Sequence, residues 1–421
     1  MDTSTLLDFD LTKDEPKIIK VIGVGGGGGN AVTHMYRKGI HDVSFLLCNT
    51  DKQALRRSDV PDLLVLGESI TKGLGAGNRP QKAKDAAQES EEEITNRLKD
   101  GTQMVFVTAG MGGGTGTGAA PIIARIAKDM DILTVGIVTI PFLFEGERKI
   151  IQALEGVEEI RRNVDALLVI NNERLREIYP DFTMKNAFAK ADDTLAIAAK
   201  SIAEIITLTG LINLDFADVN TTMKDGGVAL ISNGYGEGER RVQTAINDAL
   251  NSPLLNNNDI FTARKILLHI SFSDENELLM EEINDVHNFM SKFNSGIEVI
   301  WGTTIDNTLG KQVKMTILAT GFGIEAIPEI ADKYRSDIQD KIKEYYSDMG
   351  KGTGHSIPFA ILSAEEMNDN QFLSLLEDYP TYNRDPKIIA DYRAQWKKNS
   401  SAAQNPPPSP NKGHTGPVIT F

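Results

Sequence analysis

Cysteine is almost absent: the 421 residues contain one, Cys48. That excludes an intramolecular disulfide framework and any multi-cysteine metal cluster. The six histidines, at 34, 41, 269, 287, 355 and 414, show no metal-ligand spacing. Basic residues are in deficit: 44 Lys and Arg against 59 Asp and Glu leave a net charge of −15. A field of that sign repels phosphate backbones and argues against nucleic acid as a partner. No apolar run reaches the roughly 18 residues of a membrane span. The first residues, with Asp2, Asp8 and Asp10, lack the basic region of a secretion signal. The expectation is a soluble cytoplasmic protein without direct membrane insertion.

What is present is periodic. Residues 1–16 carry five acids and one base and read as a flexible N-terminal arm. From Lys17, short β-branched runs at 18–24, 43–48, 63–66, 104–107, 133–140 and 167–170 alternate with helical spacing at 31–38, 83–98 and 119–128. Near-continuous apolar strands separated by helices predict a parallel sheet covered on both faces, over 17–190. From about Phe188, Leu195, Ala198, Ile202, Ile205 and Ile206 keep a three- or four-residue spacing. This predicts a long central helix closed by Gly210, within a connecting segment 191–225. Strand candidates at 228–232, 266–272, 297–301 and 313–320, with helices at 242–250 and 279–293, predict a two-layer α+β domain over 226–326. Residues 327–421 are polar, with a candidate charged helix at 330–346 and a disordered, Pro-rich stretch at 399–415.

Fifteen of the 37 glycines fall in three short segments, 23–29, 73–77 and 110–118. Backbones without Cβ let an anion approach closely, and successive N–H groups at a helix start cradle phosphate oxygens. The P-loop ending fails, because Gly310-Lys311 is followed by Gln312 and Gly350-Lys351 by Gly352. Gly23-x-Gly25-x-x-Gly28 with Asp51 fits a dinucleotide fingerprint, but a run of five glycines fits many patterns.

The third loop, Gly112-Gly113-Gly114-Thr115-Gly116-Thr117-Gly118, is the tubulin-type phosphate signature. With residues 25–30, Cys48-Asn49-Thr50-Asp51, the Pro-Phe-Leu-Phe-Glu-Gly run at 141–146 and Asn213-Leu214-Asp215-Phe216-Ala217-Asp218-Val219, it makes residues 17–323 resemble the tubulin/FtsZ family of GTPases. The resemblance implies a Rossmann-like GTPase domain, a central helix, a second α+β domain and a tail. It implies that GTP or GDP is held by Gly26, Gly27, Gly28, Gly29, Asn30 and Asn49. Gly75, Ala76 and Gly77 of the second loop join them, as do Gly112, Gly113, Gly114, Thr115, Gly116 and Thr117. Glu145 is expected at the ribose and Asp192 at the guanine edge, with Lys149, Asn172 and Phe188 also in the nucleotide pocket. Lys149 stands where many members carry Arg, keeping the charge without the fork of donors.

The implied hydrolytic loop contains Asn213, Asp215 and Asp218 and acts on the neighbouring subunit. Paired carboxylates can orient a water toward a γ-phosphate. The loop has no Lys or Arg, so Mg²⁺ is expected on the phosphates, with no side-chain metal cluster. Head-to-tail contacts that do not close make filaments. The resemblance thus implies a homopolymer forming a septal ring at mid-cell, with division proteins and membrane-tethered adaptors on the tail. The usual docking peptide does not end the chain; its nearest echo is Ser356-Ile357-Pro358-Phe359-Ala360-Ile361-Leu362, and Pro417-Val418-Ile419-Thr420-Phe421 is the alternative.

Overall fold

A computed structural model describes residues 17–40, 42–179, 181–208, 210–251, 260–293 and 296–322. The arm, the 330–346 helix and both tail peptides lie outside them. Ten strands form one sheet: β1 Ile19–Val24, β2 Val43–Asn49, β3 Leu63–Val65, β4 Met104–Gly110, β5 Leu133–Ile140, β6 Ala166–Asn171, β7 Gly227–Gly236, β8 Lys265–Phe272, β9 Glu298–Ile305 and β10 Val313–Phe322. The helices are α1 Gly25–Arg37, α2 Lys52–Leu55, α3 Glu68–Thr71, α4 Pro80–Glu89, α5 Glu91–Leu98, α6 Thr115–Asp129, α7 Glu147–Arg161, α8 Asn172–Ile178, α9 Met184–Thr207, α10 Phe216–Met223, α11 Arg241–Leu250 and α12 Ile283–Met290.

The strand order is β3-β2-β1-β4-β5-β6-β7-β10-β8-β9. Its first six positions form a parallel doubly wound sheet whose order reverses between β1 and β4, the place where such folds bind ligands. Strands β1, β4 and β5 are buried almost throughout, which explains their unbroken apolar runs. The second α+β part continues the same sheet: β6 pairs with β7 only through Ala166–Gly227 and Leu167–Val228. Beyond that join, β7, β10 and β8 are antiparallel, and β9 runs parallel to β8.

Helix α9 begins beside the carboxyl ends of the parallel strands, where the Phe188 ring meets Phe142 edge-on at 5.2 Å. Its 24 residues extend about 36 Å at 1.5 Å per residue. Leu195, Ala198, Ile202 and Ile205 join one apolar core with α1, β1, β4, β5 and β6. Toward the second part the helix turns polar. Glu204 accepts from Lys314 Nζ at 2.7 Å, and Ser201 Oγ accepts from Asn233 Nδ2 at 2.6 Å. A second apolar core lies under α11 and α12.

Several boundaries differ from the periodicity. The helix expected over 83–98 is two, broken at Ser90, whose Oγ accepts the Gly67 N–H at 3.0 Å. The 279–293 helix shortens to Ile283–Met290. Gly210 does not close α9, which ends at Thr207 with an extended Leu208 cap. A Cβ at Gly210 would instead overlap the Thr303 carbonyl of β9. Trp301 on β9 is 41% exposed.

Candidate functional site

The glycine runs are helix starts as much as loops. Helix α1 begins at Gly25 and α6 at Thr115, each immediately downstream of a parallel strand's carboxyl end. The two turns touch across the switch point. A Cβ at Gly28 would overlap the Thr108 carbonyl, one at Gly25 would lie 2.8 Å from the Gly116 N, and one at Gly116 would overlap the Gly110 carbonyl. The second run follows α3 rather than a strand. It is pinned to the end of β2 by Gly75 N–H to Thr50 O at 3.0 Å and Lys52 N–H to Gly73 O at 3.0 Å. Gly114 then packs on it, within 3.1 Å of Ala76 Cβ and Asn78 Cα for an added Cβ. The three runs thus form one floor.

That floor has an open side. A Cβ added at Gly26, Gly29 or Gly113 meets nothing within 4 Å. A polar cleft of about 220 Å³ lies along α1, lined in part by Gly26, Gly29, Asn30 and Asn49. Asn172 is buried, yet its Oδ1 has no hydrogen-bond partner. Exposed backbone at helix starts and an orphaned acceptor fit a phosphorylated ligand carrying donor groups. Asp51 is no ribose acid here: it caps α2, accepting from Gln53 N at 2.9 Å and Ala54 N at 3.1 Å.

The rim comes from the turn after β5. Glu145 Oε1 accepts from Phe142 N at 3.0 Å and its Oε2 from Lys149 Nζ at 3.2 Å, so Glu145 and Lys149 pair with each other. Phe188 and half-buried Asp192 present from the first half of α9. Burial pushes the Asp192 carboxyl up to about 7. In the unliganded fold this group therefore costs stability progressively as pH rises from about 4 to about 7.

Three supporting contacts gave no sequence signal. Gln152 Nε2 donates to Gly112 O at 3.0 Å and Gly113 O at 2.9 Å, fixing the phosphate turn. Thr50 and Thr115 share a hydroxyl hydrogen bond at 2.7 Å. Glu173, fully buried, accepts the Leu143 N–H at 2.9 Å and pairs with Arg176.

Asp215 and Asp218 lie elsewhere. Helix α10 starts at Phe216. Asp215 is its cap: Asp215 Oδ1 accepts from Asp218 N at 3.1 Å, and Asp218 Oδ2 accepts from Asp215 N at 2.9 Å. This reciprocal box uses one oxygen of each carboxylate and leaves the other outside it. Asn213 Oδ1 accepts the Gly210 N–H at 2.6 Å and folds the approach to the box. Cys48 is buried and its thiol is pushed up to about 12, so it is an inert apolar residue. Among the described residues no three His, Cys, Asp or Glu side chains are grouped to hold a metal.

A Rossmann-type sheet whose switch point is floored by three glycine turns, followed by a long helix and a second α+β layer, defines a nucleotide-binding protein of the tubulin class. Residues 18–180 match the GTPase domain of the tubulin/FtsZ family, and residues 227–323 match the FtsZ family C-terminal domain. The chain is 55% identical to the cell division protein FtsZ of Porphyromonas gingivalis, over 91% of this chain and 89% of that one. It is 45% identical to that of Azotobacter vinelandii, over 76% and 81%. A solved empty FtsZ dimer of M. jannaschii superposes with a TM-score of 0.67 at 41% identity, covering 73% of this chain and 89% of that chain. CetZ2 of Haloferax volcanii shares the fold, with a TM-score of 0.64 at 18% identity, over 79% and 99%. The chain belongs to the FtsZ family of cell-division GTPases, and it binds and hydrolyses GTP.

Proposed function

We propose that GTP held on the glycine floor of one subunit is hydrolysed by Asp215 and Asp218 of the next subunit in a head-to-tail filament, and that these filaments build the division ring at mid-cell. One observation carries this reading. The glycine turns sit at the carboxyl ends of the parallel strands, whereas α10 is tied to the starts of β5 and β6 through Lys224, Asp131 and Asp165. The eight residues of β5 alone extend about 26 Å. That separation of the two tethered regions supports a reading in which the carboxylates serve phosphates held by another copy. The dimeric relative supports self-association.

In this arrangement Gly26–Gly29, Asn30, Asn49, Gly75–Gly77 and Gly112–Thr117 supply amides, hydroxyls and helix starts to the phosphates. Glu145 and Lys149 face the ribose, and Asn172, Phe188 and Asp192 the guanine. Mg²⁺, bound through the phosphates, would neutralise developing charge. The facing Asp215 and Asp218 orient the attacking water and take its proton. Division proteins and membrane adaptors would engage the tail. The test is phosphate release against protein concentration. The rate per molecule is expected to be near zero below a threshold and to rise with polymer above it; a constant rate per molecule would refute a shared site.

The Asp192 assignment has its own signature. Guanine offers N1–H and N2–H donors, so the ionised carboxylate is the binding form. With a free-state value of about 7, GTP affinity is expected to weaken about tenfold between pH 8 and pH 6. Asp192→Asn should remove that component of the profile. An unchanged profile would place Asp192 outside the base pocket.

A further inference from the structure

Both ends of α10 are tied into the fold. The N-terminal end carries the Asp215–Asp218 box. At the C-terminal end, Lys265 on β8 donates its Nζ to Thr221 O at 2.6 Å, and Thr320 on β10 donates its hydroxyl to Thr222 O at 2.8 Å. These are orphan carbonyls of a last helical turn, where a cation also complements the helix dipole. The Thr222 hydroxyl in turn donates to Asp218 O at 3.0 Å, linking the clamp to the box.

The other side is tied separately. Lys224, the cap residue, donates to Asp131 Oδ1 at 3.1 Å just before β5, and its Nζ lies 3.9 Å from Asp165 Oδ1 at the start of β6. Asp165 is buried. Its Oδ2 accepts the Thr134 N–H at 2.9 Å, while Oδ1 has no hydrogen-bond partner and faces Lys128 Nζ at 3.4 Å. Asp131, with Asp165 and Asp225 behind it, raises the Lys224 ammonium above its usual range.

We propose that Lys224 and Lys265 are positioning residues for hydrolysis, clamping α10 between the parallel and antiparallel parts of the sheet and thereby aiming Asp215 and Asp218 at the neighbour's nucleotide. Neither lysine touches nucleotide. Their effect passes through an eight-residue helix only about 12 Å long, so a small rotation at one end displaces the carboxylates at the other. Misplacements near 1 Å are enough to slow a positioned reaction by up to about a hundredfold. The inference rests on the shared-site reading above.

The experiment uses the full chain and measures GTP affinity, sedimented polymer and phosphate release per sedimented subunit. Lys265→Met and Lys224→Met keep the aliphatic stems and remove the charge. Each is expected to lower release per polymerised subunit at least about fivefold while affinity and critical concentration stay within about twofold. Lys265→Arg and Lys224→Arg should restore release to within about twofold of the parent. Loosening without a positioning role would reduce thermal stability or polymer yield and leave release per polymerised subunit unchanged; that result overturns the proposal. So does a loss matched by an equal loss of affinity. Should a Met variant fail to fold, the Gln variant at that position is read by the same criteria. Asp218→Ala separates the two claims. If it hydrolyses GTP normally, the loop reading fails. If it is inactive while the Met variants are normal per polymerised subunit, only the positioning role falls.

Discussion

Asp218→Ala is expected to bind GTP and form filaments while its turnover falls at least about a hundredfold. The size reflects the chemistry lost, because removing a group that orients and deprotonates the attacking water typically costs two to four orders of magnitude. The preserved steps follow from geometry, because α10 is tied through Lys224 to the starts of β5 and β6, whereas the glycine turns follow the carboxyl ends of β1 and β4. Asp218 also accepts the Asp215 N–H at 2.9 Å, and losing such a box costs about 1 kcal/mol of local helix stability. Asp218→Asn keeps an acceptor of the same shape and removes the negative charge. Equal inactivity in both variants assigns the defect to the carboxylate, and recovery in the Asn variant assigns it to the cap. Collapse of GTP affinity in either would place the loop in the subunit's own pocket.

Gly26→Val is expected to weaken GTP binding between about tenfold and a hundredfold with no loss of thermal stability. A Cβ there meets no protein atom within 4 Å, so the added bulk enters open space, which the proposed site gives to phosphate. Intruding methyl groups in a fitted site cost about 1–3 kcal/mol, and 1.4 kcal/mol is tenfold in affinity. Gly28→Ala makes the contrast. Its Cβ overlaps the Thr108 carbonyl between α1 and β4, so this variant should lose stability before it loses ligand. Nucleotide titration and thermal melting of the two variants check the pair. Normal GTP affinity in Gly26→Val would move the phosphates off this floor.

The strongest features were local in sequence and therefore legible there. The apolar runs of β1, β4 and β5 mark strands buried on both faces, and the glycine runs mark the places where two backbones meet at the switch point. The Asp215–Asp218 pair came only with the family resemblance that the 213–219 run carries. What escaped depends on partners distant in the chain. Lys20 interrupts β1 without disrupting it, because Asp100 accepts its Nζ at 2.6 Å. Gln152 and Glu173 act on backbone groups of turns up to 40 residues away. The break at Ser90 depends on a Gly67 amide that no helical period reveals. The polar seam between α9 and β10, through Glu204 and Lys314, joins residues 110 apart. Gly210 suggested a helix stop because glycine is common there; its actual constraint is the neighbouring carbonyl of Thr303.

A site divided between two subunits makes a demand that no single-subunit site can meet. Gly26→Val retains an intact hydrolytic loop beside a damaged nucleotide floor. Asp218→Ala retains the floor and lacks the catalytic carboxylate. Mixed in equal amounts at polymer-forming concentration, the two should release phosphate well above the sum of their separate rates, because the loop of the first meets the GTP of the second. A mixture no more active than that sum would contradict the shared site.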